Sequence, residues 1–421
     1  MMAAHRPDIC DRWLAAPLAD KLSRPYIHIL FGARQTGKST LLKSLLPDDA
    51  FCIDLADPEE RHRHLAQPGL LARQCRALPG RETATAVFID EAQTAPSIFD
   101  AVQSLYDADK ARWRFVLCGS SARKLRQSGA NLLPGRSVLH HLETLTLIEQ
   151  PPPQQAAPLV ESPLAFAWQT SGQHHLFPAW DIEERLAFGA LPGVVTAAED
   201  ERADLLRTYA TAFLEEDIRR EALVKDYGAF LRFLQLAAQE SGRVVNFSAI
   251  SRDAGVSIPT IKSHYQLLED MFVGFAVPGF SGSPRRNLLS TPRFFFFDLG
   301  IRNAAAGLMP GLDTARAQAG SLFEQWVGLE LWKRLRYQRQ GRLHYLRTAD
   351  GAEVDFIVET ADRLIPIEVK WTDRPSPSDA RHLTVFLREH PDKATRGWVV
   401  CRCPRPEALT DQVTAIPWWM L

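Results

Sequence analysis

The stretch FGARQTGKST, Phe31–Thr40, decides how the N-terminal part of this 421-residue chain is read. Ahead of it lies YIHIL, Tyr26–Leu30, a short β-prone run. Behind Gly37 comes KSTLLKSLL, which carries Leu41, Leu42, Leu45 and Leu46 at helical spacing. Gly32, Gly37, Lys38 and Ser39 fill the pattern G-x-x-x-x-G-K-S between that strand and that helix. Glycines let the backbone wrap a phosphate chain with N–H groups turned inward; the lysine neutralises the terminal phosphates and the serine ligates magnesium. Arg34 and Thr40, within the same loop and first helical turn, complete the expected nucleotide contacts.

A second motif supports this reading. TAVFIDEAQ, Thr85–Gln93, is an apolar run that ends in two acids, as a buried parallel strand does when one carboxylate holds magnesium and the next orients or deprotonates a water. Asp90 is the magnesium-side residue and Glu91 the hydrolytic one. FCIDLAD and WRFVLCGSS read as further strands, LLARQCRAL and IFDAVQSLYDADK as helices, so a parallel α/β sheet with helices on both faces is expected. One extra strand stands between the phosphate loop and the acidic strand. Ser120 and Ser121 close the strand Arg114–Cys118, where either a polar sensor or a plain helix cap would stand. Arg123 and Arg136 are the candidates for a charge-neutralising arginine, toward the chain's own nucleotide or a neighbour's.

Charge and composition restrict what the rest can do. With 49 basic and 50 acidic side chains and a net charge of -1, nothing draws the whole chain to nucleic acid or an anionic membrane, so any such binding needs a local patch. Six scattered cysteines fit a reducing cytoplasm. The start MMAAHRPDICDRWL is broken by charges before an apolar run forms, and no signal peptide or membrane span is expected.

From Gln150 the composition turns to Pro, Gln and Ser, and about Gln150–Pro178 reads as a linker in which His174 and His175 are solvated. YATAFLEEDIRREALV reads as a packing helix. Beyond it, Phe230, Phe233, Leu234 and Ala237 make one helical stripe, Ser248–Ala254 a short second helix, and Gly255 a turn. Ser257 caps a third helix with Ile261, Tyr265 and Leu268 inward. This order is a helix-turn-helix, winged by strands around Val273–Phe280. Thr260, Lys262, Ser263 and Gln266 would face DNA, whereas Glu269 and Asp270 repel phosphate; a DNA reader and a purely structural unit both fit.

The C-terminal part holds another constellation. PRFFFFD is a core strand ending at Asp298, and SLFEQWVGLELWKRL a helix bearing Glu324. Lys333, Arg334, Arg336, Arg339, Arg342 and Arg347 then form the densest positive run in the chain. AEVDFIV and LIPIEVK alternate as a hairpin around Asp355 and Glu368, with Lys370 on the face of Glu368. Those carboxylates could hold magnesium or manganese and set an ammonium beside a water, the logic of metal-dependent phosphodiester cleavage.

These residues together resemble bacterial and archaeal ATPases with an AAA-superfamily domain followed by the uncharacterised C-terminal domain DUF4143. The resemblance runs from about Tyr26 to Lys370 and rests on GARQTGKST, VFIDEAQ, FVLCGSSARKL, AFLEEDI, FFFDLGIRN, LFEQWV and the EVDFIVE/IPIEVK pair. It implies an α/β multidomain chain: a P-loop ATPase core with ATP and Mg2+ (1–149), an insertion (150–180), a winged-helix-like middle (181–285) and a restriction-endonuclease-like α/β end (286–421). Lys38, Ser39, Asp90 and Glu91 match the ATPase positions, and Glu324, Asp355, Glu368 and Lys370 the nuclease-like ones. Cys118 replaces a frequent threonine, and TPRFFFFD lacks the lysine that commonly precedes its strand. The implied activity is ATP hydrolysis coupled to DNA; the other reading is a nucleotide-switched scaffold that binds a partner protein or its own copies.

Overall fold

The computed structural model describes residues 10–121, 135–153, 176–214, 226–281, 290–348 and 351–421. Arg123, His174, His175 and the Glu215–Arg220 charges lie outside the described residues. The chain forms two units: one runs to Thr144 and includes Asp270–Val273, and the other comprises Leu145–Glu269 and Gly274–Leu421.

In the first unit, β1 (Ile27–Phe31), β2 (Phe51–Asp54), β3 (Thr85–Asp90), β4 (Trp113–Gly119) and β5 (Ser137–His141) form one sheet. All pairings are parallel and the order is β2-β3-β4-β1-β5. Ile27, Ile29 and Phe31 alternate onto one face and join Val87, Ile89, Phe115 and Leu117 in a core closed by Ile98, Phe99 and Val102 of the helix Ser97–Ala108. The extra strand is thus not the one that intervenes in sequence. β2 takes the edge, and β4, which follows both motifs in the chain, enters between β1 and β3.

In the second unit the helices Tyr227–Gln239 and Phe247–Ala254, and the helix Ile258–Asp270 up to Glu269, precede an antiparallel ribbon of β6 (Gly274–Val277) and β7 (Arg293–Phe296). Phe230, Phe233, Ile261 and Leu268 are fully buried, and Ser257 Oγ accepts from the Thr260 N–H at 3.4 Å. The ribbon crosses the expected division at residue 285, so that boundary is corrected: β7 is the partner of β6 rather than the opening of a separate domain. Asp298 caps the helix Leu299–Ala305 through the Ile301 N–H at 3.1 Å and accepts from the Ala190 N–H at 2.7 Å.

A six-stranded mixed sheet completes this unit, in the order β12-β13-β11-β10-β9-β8. Its strands are β8 (Arg342–Arg347), β9 (Glu353–Glu359), β10 (Leu364–Val369), β11 (Gly397–Cys401), β12 (Glu407–Ala408) and β13 (Val413–Pro417). β9 and β10 form the expected hairpin; β11 and β13 add in parallel. The helices Ala319–Gln338 and Arg381–Glu389 also pack in this unit. The described ends of the expected linker belong to the fold. The Gln150 carbonyl accepts from Arg185 at 2.6 Å, and Trp180 is buried. Among the described residues no helix is long and apolar enough to cross a membrane.

Candidate functional site

The phosphate loop leaves the C-terminal end of β1. A Cβ at Gly32 would stand 2.2 Å from the Leu142 carbonyl oxygen, so only glycine lets the loop pass that segment. Gly37, left-handed at φ 90°, opens the helix Lys38–Leu45. Lys38 is buried, and its ammonium donates to the carbonyls of Gly32 at 3.0 Å and Ala33 at 2.8 Å, which places the charge inside the loop. Arg34 is half-buried and Thr40 exposed. Sequence reasoning missed Arg12, whose guanidinium donates to the Thr36 carbonyl of the loop and, at 2.7 Å, to the Glu143 carbonyl beyond β5.

Sheet order brings the two motifs together. Cys118, near the end of the inserted strand β4, donates to Asp90 Oδ1 at 2.6 Å and lies 4.0 Å from Ser39 Oγ. Ser39 and Asp90 therefore flank one thiol, with oxygens suited to a hard cation. Burial pushes the Cys118 thiol well up, and the Asp90 carboxylate adds to this, so sulfur stays protonated. Ser120, just past β4, donates to Glu91 Oε2 at 3.2 Å. Gln93, a second residue sequence reasoning passed over, donates its amide to Glu91 Oε2 and to Ser120 Oγ, the latter at 3.2 Å.

Arg136 is not beside this group. Its carbonyl accepts from Ile27 at the start of β1, at the sheet end opposite the loop, about 15 Å away at the usual rise per residue. Its guanidinium pairs with Asp107 at 2.6 Å. As a charge-neutralising group for this chain's own phosphate loop it is corrected.

The second unit gathers Glu324, Asp355, Glu368 and Lys370 as electrostatic neighbours, but with a cation among them. Arg293 of β7 is buried and donates to Glu324 Oε1 and to Glu353 Oε1, each at 2.6 Å. Lys370 holds Glu368 at 2.6 Å, and Asp355 accepts from the Val369 N–H at 2.8 Å. Glu324 and Glu368 are pushed up to about 7, first by burial and then by the Asp355 charge. Two side-chain cations thus pair within this group, Arg293 with Glu324 and Glu353 and Lys370 with Glu368. Among the described residues no group of three or more His, Cys, Asp or Glu is arranged to hold an ion. The basic run is also partly consumed inside the fold. Lys333 donates to the Leu145 carbonyl at 2.8 Å and Arg334 pairs with Glu330 at 2.7 Å, both buried, while Arg339, Arg342 and Arg347 stay exposed.

Residues 24–150 match the family model described as an AAA domain, residues 179–311 the domain of unknown function DUF8612, and residues 319–421 the domain of unknown function DUF4143. Uncharacterized proteins of Mycobacterium bovis and Mycobacterium tuberculosis are each 28% identical over 408 residues, covering 96% of this chain and 82% of theirs. One from Haemophilus influenzae is 24% identical over 363 residues, 82% of each chain. A solved structure of a Walker-type ATPase of Pyrococcus abyssi aligns with 72% of this chain and 98% of its own, at 14% identity and a TM-score of 0.43.

Proposed function

We propose that this chain, an AAA-type P-loop ATPase domain with a C-terminal DUF4143 domain, binds and hydrolyses ATP with magnesium and couples that cycle to DNA. The observation that carries the ATPase reading is the convergence of the Lys38 loop, Asp90 and Glu91 at the same ends of β1 and β3. Ser39 and Asp90 would hold magnesium, which when bound neutralises phosphate charge. Lys38 holds the charge of the terminal phosphates at the loop. Glu91 takes the proton of the attacking water at Oε1, because Gln93 and Ser120 both bond Oε2 and keep the carboxylate turned one way.

DNA coupling is supported by the third helix, where Lys262, Ser263 and Gln266 are exposed together and Ile261, Tyr265 and Leu268 face inward. Glu269, expected to repel phosphate, accepts from the Ala276 N–H at 2.9 Å, so its carboxylate is engaged with the ribbon. A winged-helix-like reader fits the order of three helices and ribbon. The second reading, a nucleotide-switched scaffold, is favoured by Arg293: a C-terminal cluster filled by its own cation suits partner binding better than cleavage.

Steady-state phosphate release by the full chain, with and without single- and double-stranded DNA, separates the two. A rate raised by DNA and abolished in Glu91→Gln supports the first reading. A DNA-independent rate, with no DNA binding, leaves the scaffold.

A further inference from the structure

We propose that the cavity at the N-terminal end of the helix Ala319–Gln338 is a binding site for a phosphate-bearing ligand of nucleotide size. The cavity measures about 490 Å³ and is lined by Arg243, Arg302, Arg316, the first helical turn around Gly320, Gln239 and Trp371. Three arginines from separate segments of the chain line it.

Arg302 is the reason to expect an anion. It is 3% exposed and bonds only uncharged oxygens: Asn303 Oδ1 at 3.2 Å, Gln318 Oε1 at 3.1 Å and the Gln239 carbonyl at 3.2 Å. Its Nε has no partner. Among the described residues no carboxylate lies within ion-pair distance of it. A buried guanidinium without a counter-charge is costly, and an anion in the cavity removes that cost. Burial lowers its pKa to about 10, and the like charge of Arg243 acts in the same sense against the weaker pull of Glu240.

The helix adds an independent attraction. No side chain caps its first turn, so the leading N–H groups and the helix dipole favour negative charge at that end. Arg243 and Arg316 form the rim, with side chains 66% and 57% exposed. They also meet acids, Glu240 at 3.2 Å from Arg243, and Glu183 at 2.9 Å and Asp313 at 3.7 Å from Arg316, yet each guanidinium has more donors than these contacts use. The volume exceeds what inorganic phosphate fills and falls within the range of small-ligand pockets. Trp371, one ring face covered by Arg402 at 4.2 Å, supplies an apolar wall for the organic part.

The test uses the full chain carrying Lys38→Ala, so that the phosphate loop is silenced and the outcome does not depend on its reading. Calorimetric titrations with AMP, with inorganic phosphate and with a short single strand bearing or lacking a 5′-phosphate name the ligand's source. AMP binding assigns a free nucleotide. Binding only of the 5′-phosphorylated strand assigns a strand end. In either case Arg243→Glu and Arg316→Glu should each weaken binding by roughly tenfold or more. Arg302→Met should abolish it, but because Arg302 also ties Gln239 and Gln318, the exposed rim variants carry the test. Absence of saturable binding by AMP and both strands, or unchanged affinity in both rim variants, overturns the proposal.

Discussion

Ser120 donates a hydrogen bond to Oε2 of Glu91 across 3.2 Å, joining residues that follow two adjacent strands, β4 and β3. Gln93 completes the group by reaching both. A Cβ at Gly119 would meet Gln93 Oε1 at 2.3 Å, so a larger residue there would displace the glutamine's amide. On the proposed mechanism Gln93 positions the carboxylate. Gln93→Ala should keep nucleotide affinity while lowering kcat by about tenfold. Gln93→Glu should shift the pH–rate profile upward, because a second carboxylate disfavours ionisation of Glu91. Unchanged kcat in Gln93→Ala would remove the assignment.

Lys38→Ala should weaken binding of a fluorescent ATP analogue by at least about tenfold, because the loop then loses the ammonium bonded to Gly32 and Ala33. Circular dichroism should show the fold retained. Equal affinity would mean that the nucleotide is held elsewhere.

Glu91→Gln should bind ATP and not turn it over. An amide fills the same space and still accepts from Ser120, yet cannot take a proton from water. Undiminished phosphate release in this variant would hand the water to another residue.

The C-terminal carboxylates should make stability fall as pH rises. Glu324 and Glu368 are raised from 4.5 to about 7, so between those values the folded chain binds more protons than the unfolded one. Their stabilisation is complete below about 4.5 and is lost as pH passes through about 7. Thermal unfolding midpoints followed across that window should decline, with a shallower decline in Glu324→Gln. A midpoint that rises with pH, and rises equally in the variant, would contradict the direction.

The thiols should differ in access. Cys52 is exposed, whereas Cys75, Cys118, Cys401 and Cys403 are buried. Brief alkylation of the native protein, read by mass spectrometry, should modify Cys52 and spare Cys118, whose thiol is held protonated by burial and by Asp90. Rapid native labelling of Cys118 would show that the site opens.

The sequence by itself determined the features that depend on consecutive residues. A loop between strand and helix is written in Gly32–Ser39, a core strand ending in acids in Thr85–Glu91, and a helical stripe in Phe230, Phe233 and Leu234; each follows from local backbone geometry or a period of burial. The structure alone decided which strand enters between β1 and β3, and through that choice set Cys118 between Ser39 and Asp90. It also decided what the cations meet. Arg136, Arg293, Lys333 and Arg302 look alike in sequence, yet one lies at the far end of the sheet, one fills a carboxylate cluster, one binds a carbonyl, and one is buried among uncharged oxygens. A charge is a property of one residue, but its work is set by neighbours through space and by the water excluded around it. Those neighbours come from elements far apart in the chain, which no local pattern records.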